Sequence, residues 1–116
     1  MNRIPLHAAA WLLCAVLVGC ESLGFIKPES FQERLAAAYT LNTTIREAAA
    51  NSLASGALSS ADGEKVLVAT RETRARLDQV KAVAGTDLSS AESRLKALES
   101  ALQALRTELI SKGVQP

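Results

Sequence analysis

The chain has 116 residues and therefore has room for one small domain. Its 13 Lys and Arg residues nearly balance 12 Asp and Glu residues, and a net charge of +1 creates no field that would attract nucleic acid or another polyanion. Hydrophobic residues make up 48% of the chain but aromatic residues only 3%, which favours helices packed by Leu, Val and Ala over a sheet.

Residues 1–19 have the pattern of a secretory signal peptide. Arg3 lies near the start, and an apolar run, AAAWLLCAVLVG, ends at Gly19. The run is too short to span about 30 Å of hydrocarbon comfortably, so a cleaved leader is favoured over a permanent membrane helix. An uncleaved anchor with an incidental cysteine is the alternative, and the small Gly19 beside Cys20 weakens it.

The leader closes with Leu17-Val18-Gly19-Cys20, which resembles the lipobox of bacterial lipoproteins. The resemblance implies that the Cys20 sulfur receives a diacylglycerol, that cleavage falls between Gly19 and Cys20, and that the new amine is acylated with a fatty acid such as palmitate. Two or three acyl chains, at about 0.8 kcal/mol per buried CH₂, make release from the membrane very slow. Cys14 is a poorer candidate because bulky Leu13 precedes it.

Glu21 follows Cys20 at the position where lipoproteins retained at the inner membrane usually carry Asp. The resemblance therefore implies an outer-membrane lipoprotein that faces the periplasm. Residues 20–29 contain Ser22, Gly24 and Pro28, which predict a short tether between the lipid and the first helix.

The first predicted helix spans about 30–55. Ser30 with Glu33 three residues later has the pattern of a capping box, and Gly56 is a typical helix stop. The predicted apolar stripe consists of Phe31, Leu35, Leu41, Ile45, Ala49 and Leu53. Asn42, Thr43 and Thr44 interrupt it, either as an exposed helical turn, which is preferred, or as a buried polar contact or bend.

The second predicted helix spans about 60–84, with Ser59 or Ser60 as its N-cap and Gly85 as its end. Gly63 weakens the first turn by about 1 kcal/mol relative to Ala, so the start could fall a few residues later. The predicted apolar side consists of Val66, Ala69, Thr73, Leu77, Val80 and Ala84.

The third predicted helix spans about 87–112, opens with Asp87 or with Ser89 and Glu92, and ends at Gly113. Apolar residues recur in it at alternating spacings of three and four, the heptad pattern of helices that pack side by side. They are Leu88, Ala91, Leu95, Leu98, Leu102, Leu105 and Leu109.

These elements predict an all-α fold: an antiparallel three-helix bundle over 30–113 with a tail at 114–116, because connections of three or four residues place consecutive helices antiparallel. The leucine seam at Leu95, Leu98, Leu102, Leu105 and Leu109 is interpreted as bundle core, with an interaction seam for a partner as the alternative. A basic stretch made of Arg71, Arg74, Arg76 and Lys81 is interpreted as ordinary surface charge, with contact to lipid head groups or a partner as the alternative.

The sequence lacks the residues and motifs on which several kinds of catalysis and ligand binding usually depend. The single histidine, His7, lies in the predicted leader, and the sequence contains no CxxC, GxSxG or Gly-rich phosphate loop. We therefore expect a non-enzyme without catalytic residues, metal, cofactor or small-molecule substrate.

The expected function is that of an envelope lipoprotein that offers a helical surface to an unidentified envelope protein or to a second copy of itself. The stretch from SFQERLAAAY through TRETRARLDQV to the leucine-rich third helix, most of the chain after Cys20, faintly resembles small uncharacterised helical proteins of bacterial and prophage genomes. The same residues leave a second hypothesis open, a prophage-derived factor for envelope lysis or exclusion, which the neighbouring genes would distinguish.

Overall fold

A computed structural model describes residues 30–116, and these form three helices. They are α1 (Phe31–Ser55), α2 (Ser60–Ala84) and α3 (Leu88–Ser111), and each packs against the other two. The predicted all-α three-helix bundle is confirmed for this part of the chain. The predicted signal peptide (1–19) and tether (20–29) lie outside the described residues.

Hydrogen-bonding side chains precede α2 and α3. The Ser59 hydroxyl accepts a hydrogen bond from the Asp62 N–H at 3.2 Å, and an Asp87 carboxylate oxygen accepts one from the Ser90 N–H at 3.1 Å. Each bond satisfies a first-turn N–H that has no partner within the helix. Of the caps that the sequence left open, Ser59 therefore serves α2 and Asp87 serves α3.

The end of α3 brings an additional residue into the core. Gly113 has φ of +82°, a conformation that favours glycine, and its N–H donates to the Ile110 carbonyl at 3.0 Å. The Val114 N–H donates to the Leu109 carbonyl at 3.0 Å, which completes a Schellman motif. Val114 is buried, so residues 114–116, predicted as a tail, contribute a core side chain.

Gly63 does not delay the start of α2, whereas the sequence analysis allowed for a start a few residues later. Helix α2 begins at Ser60, and Gly63 is buried in its first turn. A Cβ atom added at Gly63 would lie 2.2 Å from the Leu53 side chain, so the missing side chain permits close approach of α1 and α2. This packing offsets the low helix propensity of glycine.

Contacts between side chains of different helices show which helices run antiparallel. Residues near the start of α1 meet residues near the end of α2, and the start of α2 meets the end of α3, so both neighbouring pairs are antiparallel, whereas α1 and α3 are parallel. The pairs are Tyr39 with Asp78, Asp62 with Lys112, and Arg34 with Glu99.

The core lies along the inner faces of all three helices. Its largest fully buried apolar side chains come from each helix: Ile45, Val66, Leu77, Val80, Leu95, Leu102 and Leu109. Phe31 and Tyr39 are only half-buried and pack against this core. Aliphatic side chains therefore supply most of the apolar burial that stabilises the bundle.

Two polar residues are buried in the core at places where the sequence analysis predicted that adjacent apolar residues would be buried. Asn42 is 2% exposed and Thr70 is fully buried, whereas Leu41 and Ala69 are half-buried. The preferred interpretation of Asn42 as part of an exposed turn is wrong. Alternating spacings of three and four residues along each helix place positions 42 and 70 in the core. Hydropathy alone favoured the adjacent apolar residues, Leu41 and Ala69.

Leu88, predicted on the apolar stripe of α3, is instead 51% exposed. It is the first residue of α3, one turn before the buried Ala91. Helix ends project beyond the layer in which neighbouring helices cover one another, so a correct heptad position does not ensure burial there.

We predict that Leu98→Ala or Leu102→Ala, in a version of the chain that begins at Ser22, lowers the free energy of unfolding by about 2 to 5 kcal/mol, because each removes buried methyl groups from the core. Leu88→Ala is the matched control and should cost less than about 1 kcal/mol. Urea denaturation followed by circular dichroism measures both. A loss below about 1 kcal/mol at Leu102 would contradict its place in the core.

Candidate functional site

The site residues proposed from the sequence fall into two groups. Gly19 and Cys20, the predicted cleavage and lipidation positions, lie outside the described residues. The five seam leucines are placed within the bundle: Leu95, Leu98, Leu102 and Leu109 are buried, and Leu105 is half-buried. Because the fold already covers them, a partner that binds the folded bundle must contact other residues.

A groove between α1 and α2 collects polar and basic side chains. It has a volume of about 190 Å³, and we call it the arginine groove. Its lining consists of Asn42, Thr43, Arg46, Thr70, Arg71 and Arg74. A second shallow depression continues from it, shares Thr43 and Arg74, and is also lined by Tyr39, Thr40 and Thr44.

Helix geometry explains why these side chains meet. Arg71 and Arg74 are three residues apart, and Arg46 follows Asn42 by four, so each pair lies on one face of its helix. The contact between Asn42 and Thr70 fixes the antiparallel register of α1 and α2 at this level. The three guanidinium groups are consequently grouped around one opening.

Asn42 and Thr70 form the buried part of the lining. Asn42 Nδ2 donates a hydrogen bond to the Thr70 carbonyl at 3.0 Å, and the Thr70 hydroxyl donates to the Leu67 carbonyl at 2.9 Å. Asn42 Oδ1 is buried and accepts no hydrogen bond from any residue in 30–116. A buried acceptor left in this way costs about 1 to 3 kcal/mol.

Tyr39 lines the adjoining depression. Its hydroxyl donates a hydrogen bond to Asp78 Oδ1 at 2.5 Å, and the Arg74 guanidinium carbon lies 5.6 Å from the centre of its ring. Burial is the main cause that raises the pKa of Tyr39 to about 12, and the hydrogen bond to Asp78 adds to it. The ring positions Arg74 through a cation–π contact.

The three arginines of this groove have no ion-pair partner among residues 30–116, whereas other charged residues of the bundle do. Within residues 30–116, ion pairs join Arg34 to Glu99, Lys65 to Glu108 and Lys112 to Asp62. Across the same range, no carboxylate lies within 4 Å of the Arg46, Arg71 or Arg74 guanidinium. These three groups therefore retain donors that a carboxylate or phosphate can accept.

The sequence grouped Arg71, Arg74, Arg76 and Lys81 as one basic stretch, but the structure divides it. Arg76 lies in another groove, between α2 and α3, of about 330 Å³, and Lys81 is exposed. Arg46 was not identified from the sequence. The signal that could have indicated it is the antiparallel register, which brings the middle of α1 to the middle of α2.

The arrangement can bind an anionic group, because guanidinium groups stay protonated near neutral pH and offer several N–H donors. In the described range, no cluster of three or more His, Cys, Asp or Glu side chains is placed to hold a metal ion. None of α1, α2 and α3 is long and apolar enough to cross a membrane.

Comparisons of the chain with models of protein families, with curated proteins and with solved structures gave no match.

We predict that the bundle loses stability between about pH 10 and about pH 12 through Tyr39. The unfolded tyrosine has a pKa of about 10, whereas the folded one is raised to about 12, so the contribution is complete below pH 10 and is lost as the pH rises through the folded value. Tyr39 is the only tyrosine, so phenolate absorbance reports it alone. Tyr39→Phe should remove this part of the pH dependence, and an unchanged profile in that variant would contradict the assignment.

Proposed function

We propose that this chain is a bacterial envelope lipoprotein, anchored by acylated Cys20 and without enzymatic activity, whose helical bundle binds a protein partner or a second copy of itself. The observation that carries the proposal is the tetrapeptide Leu17-Val18-Gly19-Cys20 at the exit of an apolar run. Glu21 in place of Asp favours the outer membrane, with the bundle facing the periplasm.

The short connection between the anchor and the bundle supports a role at the membrane surface. Ser30 lies ten positions after Cys20, and a fully extended chain of that length reaches about 35 Å. Confinement to this distance raises the effective concentration of other molecules held at the same surface. Weak contacts between helix surfaces are then sufficient for association.

The buried leucines of α3 limit how such an association could form. A partner that used Leu95 or Leu102 would have to open the bundle, because both side chains are essentially inaccessible. The proposed contact therefore uses exposed side chains of the folded bundle. Polar grooves with unpaired charges are suitable, since charged groups determine the choice of partner more than they add to affinity.

We predict that Cys20→Ser abolishes incorporation of radiolabelled fatty acid and leaves the leader uncut, because the lipid is attached to the cysteine sulfur before cleavage. Gel mobility and autoradiography of cells expressing each form measure both effects. Cys14→Ser is the matched control and should be labelled and cleaved as the unmodified chain is. Unchanged labelling of the Cys20→Ser form would refute the lipoprotein assignment.

We predict that crosslinking in intact cells attaches the lipidated chain to an envelope protein or to a second copy, and that the Cys20→Ser form gives much less product because it loses its confinement. Mass spectrometry of the crosslinked species identifies the attached chain. The protein-binding role is wrong if no species forms while the purified chain shows saturable binding of a metabolite or metal ion.

A further inference from the structure

Arg46, Arg71 and Arg74 serve neither the core nor the proposed anchor. All three are exposed, and each lines the arginine groove without a carboxylate within ion-pair distance in residues 30–116. Each guanidinium carries five N–H donors in a planar fork that matches the two oxygens of a carboxylate. The opening therefore presents a set of cationic donors with no carboxylate partner among residues 30–116.

Asn42 contributes no contact to an occupant. Its Oδ1 accepts no hydrogen bond within the described part of the chain, but the atom is buried and a donor in the groove cannot reach it. Thr43 lines the same opening with an exposed hydroxyl that can donate or accept. The groove thus combines guanidinium donors with a hydroxyl acceptor, and an acidic peptide segment, unlike a bare anion, supplies carboxylates for the first and a backbone N–H for the second.

A lipid surface fits these observations less well. Basic clusters that hold anionic lipid head groups usually contain four to eight Lys or Arg residues, whereas the groove has three. Glu47, Glu72 and Asp78 follow Arg46, Arg71 and Arg74 within one to four positions and reduce the attraction at longer range. Short-range bidentate contacts remain favourable under these conditions.

Resting on the function proposed above, we infer that the arginine groove is the docking site for the partner and that it binds an acidic peptide segment through Arg46, Arg71 and Arg74. The carboxylates pair with the guanidinium groups, and a peptide N–H of the segment is directed toward the Thr43 hydroxyl. The Tyr39 ring holds Arg74 in position from the adjoining depression.

The test uses the full chain purified in detergent and a fluorescein-labelled peptide of alternating Glu and Gly, with fluorescence anisotropy as the readout. The matching peptide of alternating Gln and Gly controls for the carboxylates. Arg71→Gln combined with Arg74→Gln removes two of the three charges at exposed positions. Arg76→Gln is the matched control on the same helix, because that side chain lines the other groove.

We expect saturable binding of the acidic peptide that weakens as the ionic strength rises and that the double variant weakens at least about tenfold, the effect of losing charge-assisted hydrogen bonds. Arg76→Gln should change affinity less than about twofold, because surface pairs contribute little individually. Circular dichroism of each variant establishes that the helices remain folded. Equal losses in the double variant and in Arg76→Gln, equal binding of the neutral peptide, or no saturable binding would overturn the inference.

A lipid arm uses mixed micelles of phosphatidylglycerol in the same assay. If these micelles displace the peptide from the unmodified chain, and the double variant binds the micelles more weakly when their binding is measured directly, the groove recognises lipid phosphate and the inference is wrong. Failure here is distinguishable from failure of the proposed function. Crosslinked partners that still form with the double variant would leave the lipoprotein role in place and remove only this groove as its docking site.

Discussion

The contact between Asn42 and Thr70 determines much of the remaining arrangement. It places a polar side chain in a core whose other buried side chains, apart from that of Thr70, are aliphatic, and Asn42 Nδ2 has this hydrogen-bonding partner when α1 and α2 adopt the observed register. Sliding either helix by one turn would bury the amide without that bond, which is costly in an apolar interior. A single polar core residue can define register in this way at some expense of stability. The position of every other α1 and α2 side chain follows from this register.

The arginine groove is a direct consequence of that register. Arg46 belongs to α1, and Arg71 and Arg74 belong to α2, so only the pairing at Asn42 brings the three guanidinium groups to one opening. The same polar pair supplies the buried lining. Structure and proposed recognition are therefore linked through one residue, because the amide that pairs the two helices belongs to a residue that lines the groove. The lipid anchor we propose would hold this surface close to its partner.

Local signals in the sequence predicted the secondary structure and the fold class. Ser59 and Asp87 are good N-caps because their side chains accept hydrogen bonds from first-turn N–H groups, and α2 spans the predicted positions, Ser60–Ala84. The leucine heptad correctly indicated the inner face of α3, apart from Leu88 at its end. Hydropathy failed at Asn42 and Thr70, because it scores a residue by its own polarity and not by the hydrogen bond that a facing helix supplies. It also failed at Val114, whose burial depends on the turn at Gly113.

By itself, the sequence determined that residues 30–116 form three helices, the approximate bounds of those helices, and most of the apolar positions on their inner faces. These properties depend on neighbours within four residues along the chain, and short connections then restrict the packing to an antiparallel bundle. The tertiary structure decided which polar side chains became buried, that Gly63 permits close approach to Leu53, and that Arg46 joins Arg71 and Arg74. Those outcomes depend on contacts between residues far apart in the chain, and no local pattern encodes the register that brings them together.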